Sequence, residues 1–518
     1  GICYKNLDEK EEALKYYLKA VELDEEDTYS MSDIAWLYNV LGKYEEGLKY
    51  LEKLEELGQD GAWINDEIGY CYKKKSDLKK ALEFYLLAEK YDKNDLDLVS
   101  EIAWVYSILG EYKEGLKYTE RAVKLGRNDA WINIQYGACL ANSNRFQEAI
   151  EKLEYALSLD EEKDLAFAYS QLGWCYRLLG DYEKALGYHI KSQEEGRNDA
   201  WINFEIAICY ENLNDYEKAL EYALISYELD KDEVNVLSEI GWLYNYMGKY
   251  EDALPFLLRA QELGRNDEGI NTEIAVSLGR SGNVKEAIEK LKKSLTMVDQ
   301  NDINQRIFIN SELGWLYGKL EESQPEEALK YLNAAKELGR DDEWIHSQIG
   351  YQLGYNPDKS EEALEHFEKA IELGRDDAWI FEVKGIILLD LKRYEEALEN
   401  YQKVIELGRR DTWLYSEIAW TYFLIKKPQL ALDYMKKAKE ISPVEIDLVL
   451  ITRMTSILLA LAEHKEAIKM IEEVISKEEY KNDINLLSNL AYIYIDMNDY
   501  NSALTYLQRL KELGRNDE

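Results

Sequence analysis

Proline is scarce in this chain: five residues in 518, too few for linkers of any length. Cysteine is also scarce, and the odd count of five argues against a disulfide framework. Cys3, Cys71, Cys139, Cys175 and Cys209 each follow by two places a Gly or Ala of a repeated pattern, so they read as small buried hydrophobes. That usage predicts a reducing compartment, the cytoplasm. Basic residues are outnumbered, 63 against 102 acidic ones, for a formal charge of −39. Such a surface repels nucleic acid and anionic membranes, which need basic patches. No long hydrophobic run is present. The longest, Val444 to Ala462, is broken by Glu445, Asp447 and Arg453 and reads as a core helix rather than a membrane span. The opening GICYKNLDEK is neither a Met start nor a secretory signal. GxxxxGK[ST], GxSxG and HExxH motifs are missing. His189, His346, His366 and His464 fall in four different repeats at places often held by aromatic or apolar residues. The expectation is a protein that is not an enzyme and carries no metal and no cofactor.

What the chain does have is a repeat. Its clearest copy is Ser238 to Asp267, SEIGWLYNYMGKYEDALPFLLRAQELGRND. Ile240, Gly241, Tyr244 and Met247 fall at helical spacing, and Gly248 suits the left-handed turn that ends a helix. A second helix carries Tyr250, Ala253, Leu254, Leu257 and Ala260; after Gly264, Asn266 and Asp267 offer side chains to cap the next helix. Two helices of this length cannot bury their apolar stripes alone, so each copy needs a neighbour. A small residue beside the turn of the second helix marks the period, from Ala13 and Gly47 to Ala467 and Ala503, and its commonest step is 34 residues. The fold class is all-α. The expected organisation is one array over residues 1–518, a segment of a longer protein, since both ends look cut. Irregular junctions are expected at 295–330 and 354–360, and the weakest repeat around 440–475.

The 34-residue step and the pattern carried by Gly241, Tyr244, Gly248, Tyr250, Ala253 and Ala260 resemble the tetratricopeptide repeat, about fifteen copies over the whole chain. Two departures stand out. The family's Trp near the start of the first helix is displaced by two residues, and its Pro before each new repeat is replaced by Gly-Arg-Asn-Asp or a relative. The resemblance implies a right-handed superhelical solenoid of antiparallel helix pairs, with first helices lining a concave groove that binds peptide segments. A clamp for a terminal carboxylate, known in some members, is not expected. Ser, Glu and Trp recur at its positions, and Lys73 and Arg177 are isolated exceptions.

The twelve tryptophans occupy two places of the first helix. Trp36, Trp104, Trp174, Trp242, Trp315 and Trp420 follow its small residue; Trp63, Trp131, Trp201, Trp344, Trp379 and Trp413 lie two turns earlier on the same face. Between them runs a column of Ser32, Ser100, Ser170, Ser238, Ser311 and Ser416. Beside it stands an acid or amide column that includes Glu67, Glu101, Glu205, Glu239, Glu312 and Glu417. Carried over by position, Trp36, Trp63, Glu101, Trp104, Trp131, Trp174, Trp201, Glu205, Glu239, Trp242, Glu312, Trp315, Trp344 and Trp420 would face the groove. Indole rings beside carboxylates favour a cation, so the expected partner is a protein or peptide segment that is extended and basic or aromatic. The same rings can instead pack between repeats, and the acids can be solvated. Two other functions fit the same chain: a bacterial sensor whose superhelical pitch responds to a signalling peptide, or the targeting arm of an enzyme encoded outside this segment. The loop arginines Arg127, Arg197, Arg265, Arg340, Arg375 and Arg409 form a further row, each placed to meet a helix C-terminus and a nearby Asp.

Overall fold

The computed structural model describes residues 1–159, 165–441 and 448–514. Thirty α-helices and one short 3-10 turn, with no strand, make up the regular structure of the described residues. They follow one another as pairs, from Ile2–Asn6 with Lys10–Leu23 to Ile484–Asp496 with Tyr500–Glu512. The described residues fall into two compact units, Gly1–Arg265 and Asn266–Glu518. Within each unit the two helices of a pair pack together, and the second packs on the first helix of the next pair.

The turns follow the residues expected to make them. In the pair Val234–Tyr246 and Tyr250–Glu262, Gly248 takes φ +75°. The Lys249 amide then closes the first helix on the Tyr244 carbonyl at 2.8 Å, which satisfies an end carbonyl that would otherwise lack a donor. Asp267 caps the following helix, accepting from the Ile270 amide at 2.9 Å.

The interior is made where helices approach closely. Gly69 lies under the Tyr85 ring, so near that a Cβ there would sit 2.6 Å from it; Gly385 lies likewise under Tyr401. Gly137 under Leu153 and Gly173 under His189 repeat the arrangement, and each large partner is fully or almost fully buried. The absent side chain is what lets the larger one of the second helix fill the space.

Three places differ from the sequence pattern. Within the expected irregular junction at 295–330, the extended helix Ile303–Lys319 takes up most of the added residues. The turn at 354–360 contains the 3-10 segment Pro357–Lys359. Cys71, Cys139, Cys175 and Cys209 are buried thiols, but Cys3, on the short helix Ile2–Asn6, is exposed. Burial pushes the four buried thiols up, to about 11 for Cys71 and Cys139 and about 12 for Cys175 and Cys209. Residues 442–447, part of the expected weakest repeat and of the Val444 run, lie outside the described residues.

Candidate functional site

Every tryptophan is partly or fully accessible, and none belongs to the buried core. The two columns differ in what holds them. In the earlier column the loop arginine stacks on the ring: Arg127 on Trp131 at 4.8 Å, Arg197 on Trp201 at 4.6 Å, Arg340 on Trp344 at 4.2 Å and Arg375 on Trp379 at 4.7 Å. The same guanidinium binds the capping Asp two residues on, as Arg197 Nε does Asp199 at 2.8 Å. It also reaches back to the preceding pair, where Arg197 donates to Ser170 Oγ at 2.6 Å. The Arg-x-Asp-x-Trp loop is therefore a clasp: Asp caps, Arg bridges, and Trp is the plate beneath it. Trp63, whose loop has no such arginine, is 41% exposed.

In the later column a neighbouring pair supplies the cation. Lys5 lies over Trp36 at 4.8 Å, Lys73 over Trp104 at 5.5 Å, Arg280 over Trp315 at 3.7 Å and Arg453 over Trp420 at 5.4 Å. Trp174 meets Phe146 edge-on, and Trp242 stacks on Tyr246. Three of these cations also hold the adjacent acid column, Lys73 to Glu101 at 2.7 Å, Arg280 to Glu312 at 2.9 Å and Arg453 to Glu417 at 2.7 Å, and Arg177 likewise holds Glu205 at 2.5 Å. Lys73 and Arg177, isolated in the sequence, are thus partners of the acid column. The signal that would have found them is a spacing of 28 residues, shared by Lys73–Glu101 and Arg177–Glu205. At Glu239 the facing residue is another acid, Glu211, whose carboxyl is held above its usual range by burial.

Three cavities open along these columns. One, of about 450 Å³, is bordered by Trp36, Glu67 and Glu101, together with Asp66, Tyr70 and Tyr85. A second, of about 530 Å³, is bordered by Trp413, Glu417, Trp420 and Arg453; a third, of about 270 Å³, by Trp315, Gln348 and Trp379. Asp66 was not singled out by sequence, because it occupies the serine column. Burial, with Glu67, Asp95 and Glu101 near, pushes its carboxyl up to about 7 against the opposing pull of Lys73. His189 lies under the Arg177–Glu205 pair with neither ring nitrogen bonded. Burial and the charges of Arg177 and Arg197 lower it to about 3. Among the described residues no group of three or more His, Cys, Asp or Glu is placed to hold a metal, and no helix is long and apolar enough to cross a membrane.

Among solved structures the chain is similar to the APC/C hetero-tetramer Cut9–Hcn1, at 15% identity over 88% of this chain and 94% of that one, with a TM-score of 0.39. It is similar to Naa15/Naa10 bound to HypK-THB, at 13% identity over 100% and 93% of the two chains, TM-score 0.37. Pseudomonas aeruginosa pilF gives 19% identity over 40% and 94%, TM-score 0.36. No curated protein matches the chain. Models of the tetratricopeptide repeat match residues 1–27, 128–194, 358–412 and 486–518. With helix pairs tiling the described residues between and beyond those stretches, the chain is a tetratricopeptide repeat protein.

Proposed function

We propose that this chain is a protein-binding scaffold whose first-helix face receives an extended, basic or aromatic segment of a partner. The observation that supports it is the coincidence of accessible cavities with the Trp columns at three separate places, with acids of the neighbouring column at two of them and its amide Gln348 at the third. Indole faces supply large contact area at low entropic cost, and the acids, already paired with the chain's own Lys and Arg, mark positions where cations are stable. A partner cation adds to these ladders or exchanges with one of their members. The net charge of −39 directs recognition towards basic segments and away from nucleic acid and anionic membrane. On this account the chain does no chemistry of its own, needs no cofactor, and works in the cytoplasm.

The test is a peptide array probed with the chain and with its Trp104→Ala plus Trp174→Ala variant, circular dichroism showing both folded. Binding of basic or aromatic peptides should weaken at least about tenfold, as for truncated interface tryptophans elsewhere. Unchanged binding would remove the two columns from recognition.

A further inference from the structure

The cavity that holds Asp66 departs from the pattern of the other pairs. At the same place in other first helices stand Ser32, Ser100, Ser238 and Ser311. Their hydroxyls donate to a carbonyl one turn back at 2.7 or 2.8 Å and are thereby satisfied. Glu382 also occupies this place, and the loop arginine Arg409 holds it. The loop residue equivalent to that arginine for Asp66 is Lys93, as far along the chain from Asp66 as Arg197 is from Ser170. Lys93 is exposed and forms no ion pair with Asp66. No hydrogen bond or ion pair among the described residues reaches the Asp66 carboxylate.

The neighbouring groups are already engaged. Glu67 accepts from Asn39 Nδ2 at 2.6 Å, and Glu101 holds Lys73 at 2.7 Å. Asp95 caps the helix Leu96–Ile108 through the Asp97 and Leu98 amides, at 3.0 and 3.1 Å, while Asp97 faces Arg127 at 3.4 Å. What remains is Asp66 and, lining the same cavity, Tyr85. Tyr85 is 1% exposed, and its hydroxyl has no hydrogen-bond partner among the described residues. Unlike the Tyr17 and Tyr401 hydroxyls, which are enclosed without partners, that hydroxyl keeps access to the cavity, where a ligand donor can reach it. Trp36 and Tyr70 border the remaining space.

We propose that this cavity is a binding site for one primary alkylammonium group, with Asp66 and Tyr85 as its acceptors and Trp36 and Tyr70 as aromatic walls. The carboxylates here do not converge as metal ligands. An ammonium offers three N–H donors around a compact charge, which suits one carboxylate, one phenol oxygen and a ring face. The chain itself uses lysine in this way beside the cavity, with Lys5 over Trp36 and Lys73 at 5.2 Å over Tyr70. The ammonium comes from a lysine of the bound partner segment, which deepens the scaffold function proposed above and rests on it for that source. A free diamine carries the same chemistry and forms a separate arm of the test. Because Asp66 titrates near 7, an arriving ammonium expels a proton. Burial raises that value most; the charges that face Asp66 are Glu67, Asp95 and Glu101, which raise it further, and Lys73, which opposes them.

Isothermal titration calorimetry of the whole chain at physiological salt tests this. The probes are cadaverine and an acetylated, amidated Ala-Ala-Lys-Ala-Ala peptide, against wild type, Asp66→Asn and the near-isosteric Tyr85→Phe. Asp66→Asn removes a poorly solvated charge, so loss of folding is not expected; circular dichroism checks it. Wild type should bind both probes, roughly ten- to hundredfold more tightly than Asp66→Asn and several-fold more tightly than Tyr85→Phe. Binding should tighten about tenfold from pH 6 to pH 8 as Asp66 ionises. Cadaverine binding without peptide binding would uphold the site and overturn the lysine source. Binding of neither probe, or equal binding by wild type and Asp66→Asn, would overturn the site. It would leave the scaffold function, which is tested through Trp104 and Trp174, standing.

Discussion

His189 should make one helix pair acid-sensitive, and the size of the effect follows from its surroundings. The ring is 0% exposed, both nitrogens lack hydrogen bonds, and Gly173 lies against it. Glu205 Oε2 is 3.6 Å from Nε2, but Arg177 Nε already takes that oxygen at 2.5 Å, and Arg197 adds a second positive charge. Protonation is therefore opposed, and the value falls from 6.5 to about 3. The sign follows from linkage. The unfolded chain takes up a proton below about 6.5 and the folded chain does not, so stability present above that pH is lost as pH falls towards 3. At pH 5 the loss is about 2 kcal/mol, from about 1.4 kcal/mol per unit. His189→Leu, which copies Leu153 over Gly137, removes the dependence and relieves two unpaired nitrogens, a gain of roughly 1–3 kcal/mol at pH 8. Unfolding of a repeat chain is not two-state, so the assay is hydrogen exchange resolved to the helices Leu165–Leu178 and Tyr182–Glu194, corrected for intrinsic rates. Wild type should lose protection there between pH 8 and pH 5 and His189→Leu should not. Equal losses would refute the reasoning.

Further outcomes follow from other residues. Asp66 has the opposite sign: its folded value is raised to about 7, so its contribution declines as pH rises from about 4 to 7. Asp66→Asn should accordingly slow amide exchange of the helix Ala62–Lys74 at pH 8, by the equivalent of up to about 4 kcal/mol, and leave it unchanged at pH 4. Gly385→Ala places a Cβ 2.5 Å from the Tyr401 ring and should cost roughly 1–3 kcal/mol, read as faster amide exchange in the helices Ala378–Asp390 and Tyr394–Glu406. Gly187→Ala, with open space around it on the solvent face of the helix Tyr182–Glu194, should stabilise by about 0.5–1 kcal/mol, read by the same exchange. Arg197→Ala breaks the contacts to Trp201, Asp199 and Ser170 together and should speed exchange of the Asn198–Ile202 amides while leaving distant helices alone.

Much of this structure is legible in the sequence, and the reason is local. Each helix is specified by its own stripe and stop, as Ile240 to Gly248 shows, and a repeated error would have shown as a broken period. The Asp caps and the Trp columns could be placed because both depend on positions within one helix or one loop. The charge pairs depend on two pairs at once. Lys73 meets Glu101, and Arg177 meets Glu205, through the stacking of successive first helices, which no single repeat reveals. Asp66 was hidden for the opposite reason: in a chain with 102 acidic residues a further one carries no signal until its missing counterpart is seen. The six residues Ile303–Phe308, inside the irregular junction at 295–330, break the period, yet they are helical, since an insertion at a helix start can simply add turns.

Hydrogen-exchange footprinting of the chain with a saturating lysine-rich peptide tests the central claim most directly. Protection gained on first helices such as Thr28–Val40, Ala62–Lys74 and Leu96–Ile108 is the predicted result. Protection confined to second helices such as Tyr44–Glu56 and Leu78–Tyr91 would contradict it.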